Sequence, residues 1–194
     1  MILICSTVFS QQVKRNLEIF DELISKQVEK IIFTTGLNKE KEFSFFVKSD
    51  EESFVKNIIK KTCGNNKIKH SFSEIQSTDS NFYLILLTVN SLRTTYPGFK
   101  SKNFLGEKII FRNLKGNVSF EISESGKNLA RSSEEINFKD AVNMENVEQI
   151  ESEEYKFTKG KLPSVGLIEE LFFPALLVVA SAVATVLFFT IRTK

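Results

Sequence analysis

His70 is the chain's one histidine, and Cys5 and Cys63 are its two cysteines. Nucleophilic, general-base or metal chemistry would have to be built from these three residues. They do not combine. In "KIKHSFSEI" the residues Ile68, His70 and Phe72 alternate as on a half-buried strand, which gives His70 a structural role. Cys63 reads as a small buried hydrophobe rather than a reactive thiolate. One histidine with isolated cysteines makes no usual zinc set. No Gly-x-Ser-x-Gly elbow occurs, and "GLNKEK" and "CGNNK" lack the spacing of a phosphate loop. The 24 acids leave material for carboxylate chemistry, but no pair is singled out. Asp140, at the end of a strand-like stretch, reads as a turn or cap residue. No catalytic, cofactor or metal site is therefore expected.

The 194 residues suffice for one domain with an appendage. Twenty-six Lys and Arg are scattered among the 24 acids, for a net charge of +2, and this excludes the concentrated basic field of a nucleic-acid binder. The 19 Phe against no Trp read as a compositional habit. If Cys5 is removed with an N-terminal leader, no internal disulfide can form.

Such a leader is the expectation for residues 1–10. Ile2 to Cys5 form a short apolar run, and Val8-Phe9-Ser10 precedes polar Gln11 and Gln12 like a cleavage pattern. The run lacks a basic region before it, so the reading is a truncated signal. Ile4 stands where a lipoprotein cysteine at position 5 would need a small residue. At the other end, Leu171 to Ile191 carries no charge. About 20 apolar residues at about 1.5 Å each match a hydrocarbon core of about 30 Å, so a transmembrane helix is predicted over 171–191. Pro174 suits a first helical turn. Glu169 and Glu170 precede the segment and Arg192 and Lys194 follow it, which predicts a cytoplasmic tail at 192–194 and an external domain. Ala180 with Ala184, and Ser181 with Thr185, are small residues four apart, the spacing of a helix–helix packing face and of a homodimer through it.

Between the ends, Val13, Leu17, Phe20, Ile24, Val28 and Ile31 recur at steps of three and four and predict an amphipathic helix. "EFSFFVKS" (42–49) predicts a buried strand. Ser49 with Glu52 has the form of a capping box opening a second helix, whose buried face is Phe54, Val55, Ile58 and Ile59, with Gly64 as its left-handed end. "FYLILLTV" (82–89) reads as a central strand and "TTYPGFKSKNFLGE" as a turn region. Val118, Phe120 and Ile122 alternate in the next strand, and Gly126 supplies a turn to an antiparallel partner. The order α-β-α-β-β-β-β predicts an α+β (α/β layer) domain over 11–140, two helices on a mostly antiparallel sheet. Residues 141–170, with acids ahead of lysines, predict a polar tether.

The segments "LILLTV" and "VSFEISESGKNLARS" form a strand-turn-strand pattern. With the preceding helix-strand-helix-strand order, it resembles envelope proteins of the curli-secretion-channel, penicillin-binding-protein-activator and TolB amino-terminal type. The resemblance covers residues 13–140 and carries over no functional residue. It implies an extracytoplasmic domain that binds other envelope proteins. The expectation is a non-catalytic interaction module for envelope assembly or secretion. It would be anchored through Leu171–Ile191 to membrane lipid, in a bacterial inner membrane with a periplasmic domain, have an envelope protein as partner, and bind no nucleic acid. The alternatives are a membrane-tethered enzyme using carboxylates and a cytosol-facing tail-anchored adaptor.

Overall fold

A computed structural model describes residues 13–34, 36–73, 82–101, 107–164 and 167–192. The leader-like segment 1–10 lies outside the described residues, as do Thr193 and Lys194. The chain divides into two units, Met1–Lys161 and Leu162–Lys194.

In the first unit the predicted stripe becomes α1 (Asn16–Thr34), with Phe20, Ile24, Val28 and Ile31 fully buried. Strand β1 (Glu42–Ser49) follows, then α2 (Glu52–Asn65) and β2 (His70–Phe72). Three long strands complete the sheet: β3 (Phe82–Ser101), β4 (Lys108–Glu124) and β5 (Lys127–Asn143). The strand order is β2-β1-β3-β4-β5. The sheet is mixed, which corrects the mostly antiparallel arrangement: β1 runs parallel to both β2 and β3, while β3–β4 and β4–β5 are antiparallel. The parallel pairing with β2 follows from α2, because a helical crossover brings the chain back in the same direction. The main core joins α1 and α2 to Phe43, Phe45, Ile85, Leu87, Val118 and Ile122 of the sheet. One ion pair ties the two helices together and another ties α1 to the sheet. Lys61 of α2 meets Asp21 of α1 at 2.8 Å, and Lys30 of α1 meets Glu134 of β5.

Local chemistry shifts several predicted details. Ser49 is not the N-cap of α2; its Oγ accepts from the Glu51 amide at 3.1 Å, one turn before the helix proper. Gly64 lies inside α2, and the left-handed residue is Lys67 (φ 56°). The Ile68 amide donates to the Cys63 carbonyl at 2.9 Å and the Lys67 amide to Gly64 at 3.1 Å, the Schellman pattern with lysine in the glycine position. The predicted turn after β4 does form: Ser125 and Gly126 both have positive φ, as a two-residue type I′ hairpin requires.

The stretch expected as a turn from Thr94 onward is strand as far as Ser101, and residues 102–106 lie outside the described residues. Two irregularities let β3 continue, one between Asn90 and Arg93 and one between Thr95 and Gly98. Pro97, which has no amide to give, falls in the second. The first reverses the pleat. Before it Tyr83, Ile85, Leu87 and Val89 face the core; after it Thr94 and Tyr96 do. Leu92 crosses Gly116 of β4 there, where a Cβ would stand 2.5 Å from the Leu92 Cδ2, so a larger residue would require the Leu92 side chain to move.

The compact unit also takes in much of the stretch expected as a tether. After β5 come a 3-10 turn (Met144–Asn146), α3 (Val147–Ile150) and another 3-10 turn (Lys156–Thr158). Val147, Ile150, Phe157 and Thr158 are buried. Three apolar anchors and one buried threonine among charges are enough to fold the segment back onto β3 and β4, although the charge pattern dominates the sequence.

The second unit is α4 (Leu167–Arg192). The expected transmembrane helix is not seen: among the described residues no helix is long and apolar enough to cross a membrane.

The link between α1 and β5 has a pH signature. Hydrogen bonding from Lys30, and then from Gln27 at 3.2 Å, holds the Glu134 carboxyl below its ordinary 4.5. A depressed folded-state value adds stability that is complete above the ordinary value and lost as the pH falls through the folded one. Glu134→Gln is therefore expected to unfold with a shallower pH dependence below about 4.5 than the parent, in chemical denaturation repeated across pH 3–6. Parallel curves would contradict the assignment.

Candidate functional site

Polar groups converge most densely at Arg112, which is 1% exposed. Its position follows from strand period. Ile110, Leu114, Val118, Phe120 and Ile122 form the inward face of β4, and Arg112 lies in the same phase. The register sets Asp140 of β5 directly opposite. The guanidinium grips that carboxylate with both arms, Nε to Oδ1 at 2.7 Å and Nη2 to Oδ2 at 2.5 Å. Nη1 donates to the Lys14 carbonyl at 2.9 Å and to the Asn16 Oδ1 at 2.8 Å, which fastens the start of α1 to the sheet. The ring of Phe138 lies 5.8 Å from the guanidinium carbon.

Asn16 passes the network on. Its Nδ2 donates to the Thr158 carbonyl at 2.7 Å and to the Tyr96 hydroxyl at 3.2 Å. Tyr96 reaches this point only because the first irregularity of β3 turned its phase inward. Burial pushes its phenol well above the ordinary 10. Glu151, beside Tyr96, accepts from the Gly160 amide at 2.8 Å. A Cβ on Gly160 would stand 2.7 Å from the Tyr96 ring, so glycine is what lets the returning chain close over tyrosine. Thr158 Oγ1 is held by the Ser152 amide (2.9 Å) and donates toward Tyr155 (2.7 Å). The groups satisfy one another, and the arrangement acts as a clasp joining α1, three strands and the segment after β5.

A small cleft of about 100 Å³ opens where the carboxyl end of β1 meets the first irregularity of β3, lined by Ser49, Asp50, Glu51, Asn90, Ser91 and Phe157 among others. Its acids stand at the start of α2 with no cationic partner among the cleft residues.

The residues weighed in the sequence lie elsewhere. His70 is half-buried, with Nδ1 3.3 Å from the Ile68 carbonyl and its ring edge-on to Phe72. Cys63 is fully buried, and desolvation pushes its thiol up to about 12, away from nucleophilic use. Asp140 is neither turn nor cap but the carboxylate of the clasp. Ala180, Ser181, Ala184 and Thr185 are exposed on α4. Ser181 Oγ donates to the Leu177 carbonyl at 2.7 Å and Thr185 Oγ1 to Ser181 at 2.8 Å, so both hydroxyls are satisfied by their own helix. Arg112 was overlooked in the sequence. Extending the alternation of Val118, Phe120 and Ile122 backward in steps of two, through Gly116 and Leu114, lands on it. Among the described residues, no cluster of three or more His, Cys, Asp or Glu could hold a metal.

No protein-family model matches the chain, and no curated protein does. Solved structures do match, at low likeness. A protein described as a neuraminyllactose-binding hemagglutinin homologue from Helicobacter pylori is 11% identical with a TM-score of 0.40, over 56% of this chain and 70% of that one. Rare lipoprotein B from Shewanella oneidensis is 13% identical with a TM-score of 0.33, over 74% and 96%. A lipoprotein from Neisseria meningitidis is 9% identical with a TM-score of 0.30, over 73% and 99%. All three are bacterial and two are lipoproteins. None is described as one of the three families that the strand-turn-strand pattern resembles. Likeness at this level carries no statement of what this chain binds or does.

Proposed function

We propose that this chain is an envelope-associated, non-catalytic interaction module whose α4 contacts membrane lipid and whose compact domain lies on the extracytoplasmic side of a bacterial inner membrane, in contact with another envelope protein. The observation that carries the reading is α4 itself. Leu177, Val178, Val179, Val186, Phe189 and Ile191 are each more than 60% exposed, and they point to different sides of the helix. A helix apolar all round has no side to give to water, and a docked protein would cover only one of them. Contact with lipid is the proposed means of taking these side chains out of water. The small residues Ala180, Ser181, Ala184 and Thr185 are proposed as the face on which two such helices meet in lipid. The compact domain supports the non-catalytic part, because its convergent polar groups are spent on one another in the clasp.

The test is flotation of the full chain with vesicles of phosphatidylethanolamine and phosphatidylglycerol. The parent is expected to float with the vesicles, and a Leu177→Glu, Val183→Glu, Phe188→Glu variant to stay at the bottom of the gradient. A parent that does not float, or a triple variant that floats equally, would remove the lipid contact. For the side of the membrane, protease added to spheroplasts should digest the compact domain; protection until lysis would place it in the cytosol.

A further inference from the structure

The two edges of the sheet are unequal. One is β2, three residues long; the other is β5, seventeen residues long. Among the described residues no strand pairs with the outer side of β5. A long edge leaves a row of backbone amides and carbonyls open to another strand. We propose that the occupant is a second copy of this chain, with β5 pairing β5 antiparallel about a twofold axis at Asn137, so that two five-stranded sheets become one of ten.

Side-chain pattern selects both the partner and the register. Arg131, Ser133, Glu135, Asn137, Lys139 and Ala141 share the exposed face of β5, and their charges alternate every fourth residue. An axis at Asn137 sets Glu135 opposite Lys139 of the second copy, twice. Glu135 already meets Lys115 at 3.0 Å, so it would sit between two lysines. On the core face the same register sets Ile136 opposite Phe138, also twice, which continues the apolar layer across the axis. Glu134 then faces Asp140, but each carries its own cation, Lys30 and Arg112 respectively. An axis at Glu135 would instead put Glu135 on itself and Arg131 on Lys139. An axis at Ser133 would put Lys127 on Lys139 and draw in Leu129, the residue with no partner at the register shift of the β4–β5 pair. Pairing about Asn137 runs from Arg131 to Asn143 and leaves that irregularity outside. Self-pairing also gives an isologous, closed interface rather than a growing one. It does not depend on α4 or on the lipid reading.

Cysteine cross-linking of the full chain in detergent micelles tests the register, in a Cys5→Ser background with Cys63 fully buried. Asn137→Cys is expected to give a covalent dimer on mild oxidation, because the axis brings the two copies of that position together. Ser133→Cys alone should stay monomeric, since its two copies lie about 27 Å apart along the strands. Mixed with Ala141→Cys it should form the heterologous cross-link. In the Asn137→Cys chain, Glu135→Lys should weaken dimerisation about tenfold and adding Lys139→Glu should restore it. A folded Asn137→Cys chain that remains monomeric overturns the proposal. So does a Ser133→Cys chain that cross-links as readily, which would report chance collision or association through α4. Failure of the charge reversal to rescue overturns the register.

Discussion

Asp140→Ala is expected to destabilise the compact domain by about 3–5 kcal/mol, the cost of leaving one member of a buried ion pair without its partner. The charge left behind is Arg112, with 1% of its side chain exposed. Arg112→Met should cost less, about 1–3 kcal/mol, although it removes more hydrogen bonds. It leaves the carboxylate instead, and Asp140 retains 31% exposure through which water can reach it. Methionine also fills much of the space beside Phe138. The order of the two variants is the informative result, because a count of lost hydrogen bonds predicts the opposite one. Urea unfolding of both single variants and the double variant gives the coupling, expected at about 1–3 kcal/mol. A cost below about 1 kcal/mol for Asp140→Ala would mean that the pair is solvated and the clasp adds little.

Phe157→Ala should cost about 3–5 kcal/mol. Phe157 stands edge-on to Phe20 of α1 with ring centroids 5.1 Å apart and meets Phe54 of α2 at 5.4 Å. It is thus the wedge between the two helices on the sheet, delivered from beyond the last strand. A residue on a solvated tether would lose almost nothing on the same change, and thermal unfolding distinguishes the two by several degrees. A loss under about 1 kcal/mol would return residues 141–158 to the tether reading. The expected loss also means that a fragment ending at Asp140, which lacks Phe157, Thr158 and the closing Gly160, should be far less stable than one ending near Lys161.

Much of the architecture was legible in the sequence because it is local. Steps of three and four gave α1, and alternation gave the inward face of β4. Gly126 in "SESGKN" gave the hairpin turn, which the structure forms with Ser125 and Gly126 both at positive φ. The scarcity of His and Cys and the apolar run of α4 were likewise plain from composition. What periodicity does not report is the partner across space. The parallel placement of β1 beside both β2 and β3 came from where a crossover and a later strand settled, which no window of the sequence contains. The length over which α4 is apolar was readable; the transmembrane assignment drawn from it was not sustained.

The clasp shows the division most clearly. Arg112 lies in a run whose neighbours two apart are apolar, but a charged residue there reads as an interruption of the pattern rather than a member of it. Only the register of β4 on β5 reveals that Asp140 waits opposite. Asn16 and Thr158 are 142 residues apart and hydrogen-bonded. Tyr96 joins them because an irregularity six residues earlier reversed the pleat of β3, turning a residue from a predicted loop into the centre of a buried network. The sequence by itself determined which stretches would be helix or strand and which of their faces would be apolar, since both depend on neighbours within a few residues. The tertiary structure alone decided which buried charge meets which, since that depends on topology and register, and the free energy of a buried ion pair exists only once both partners have left water together.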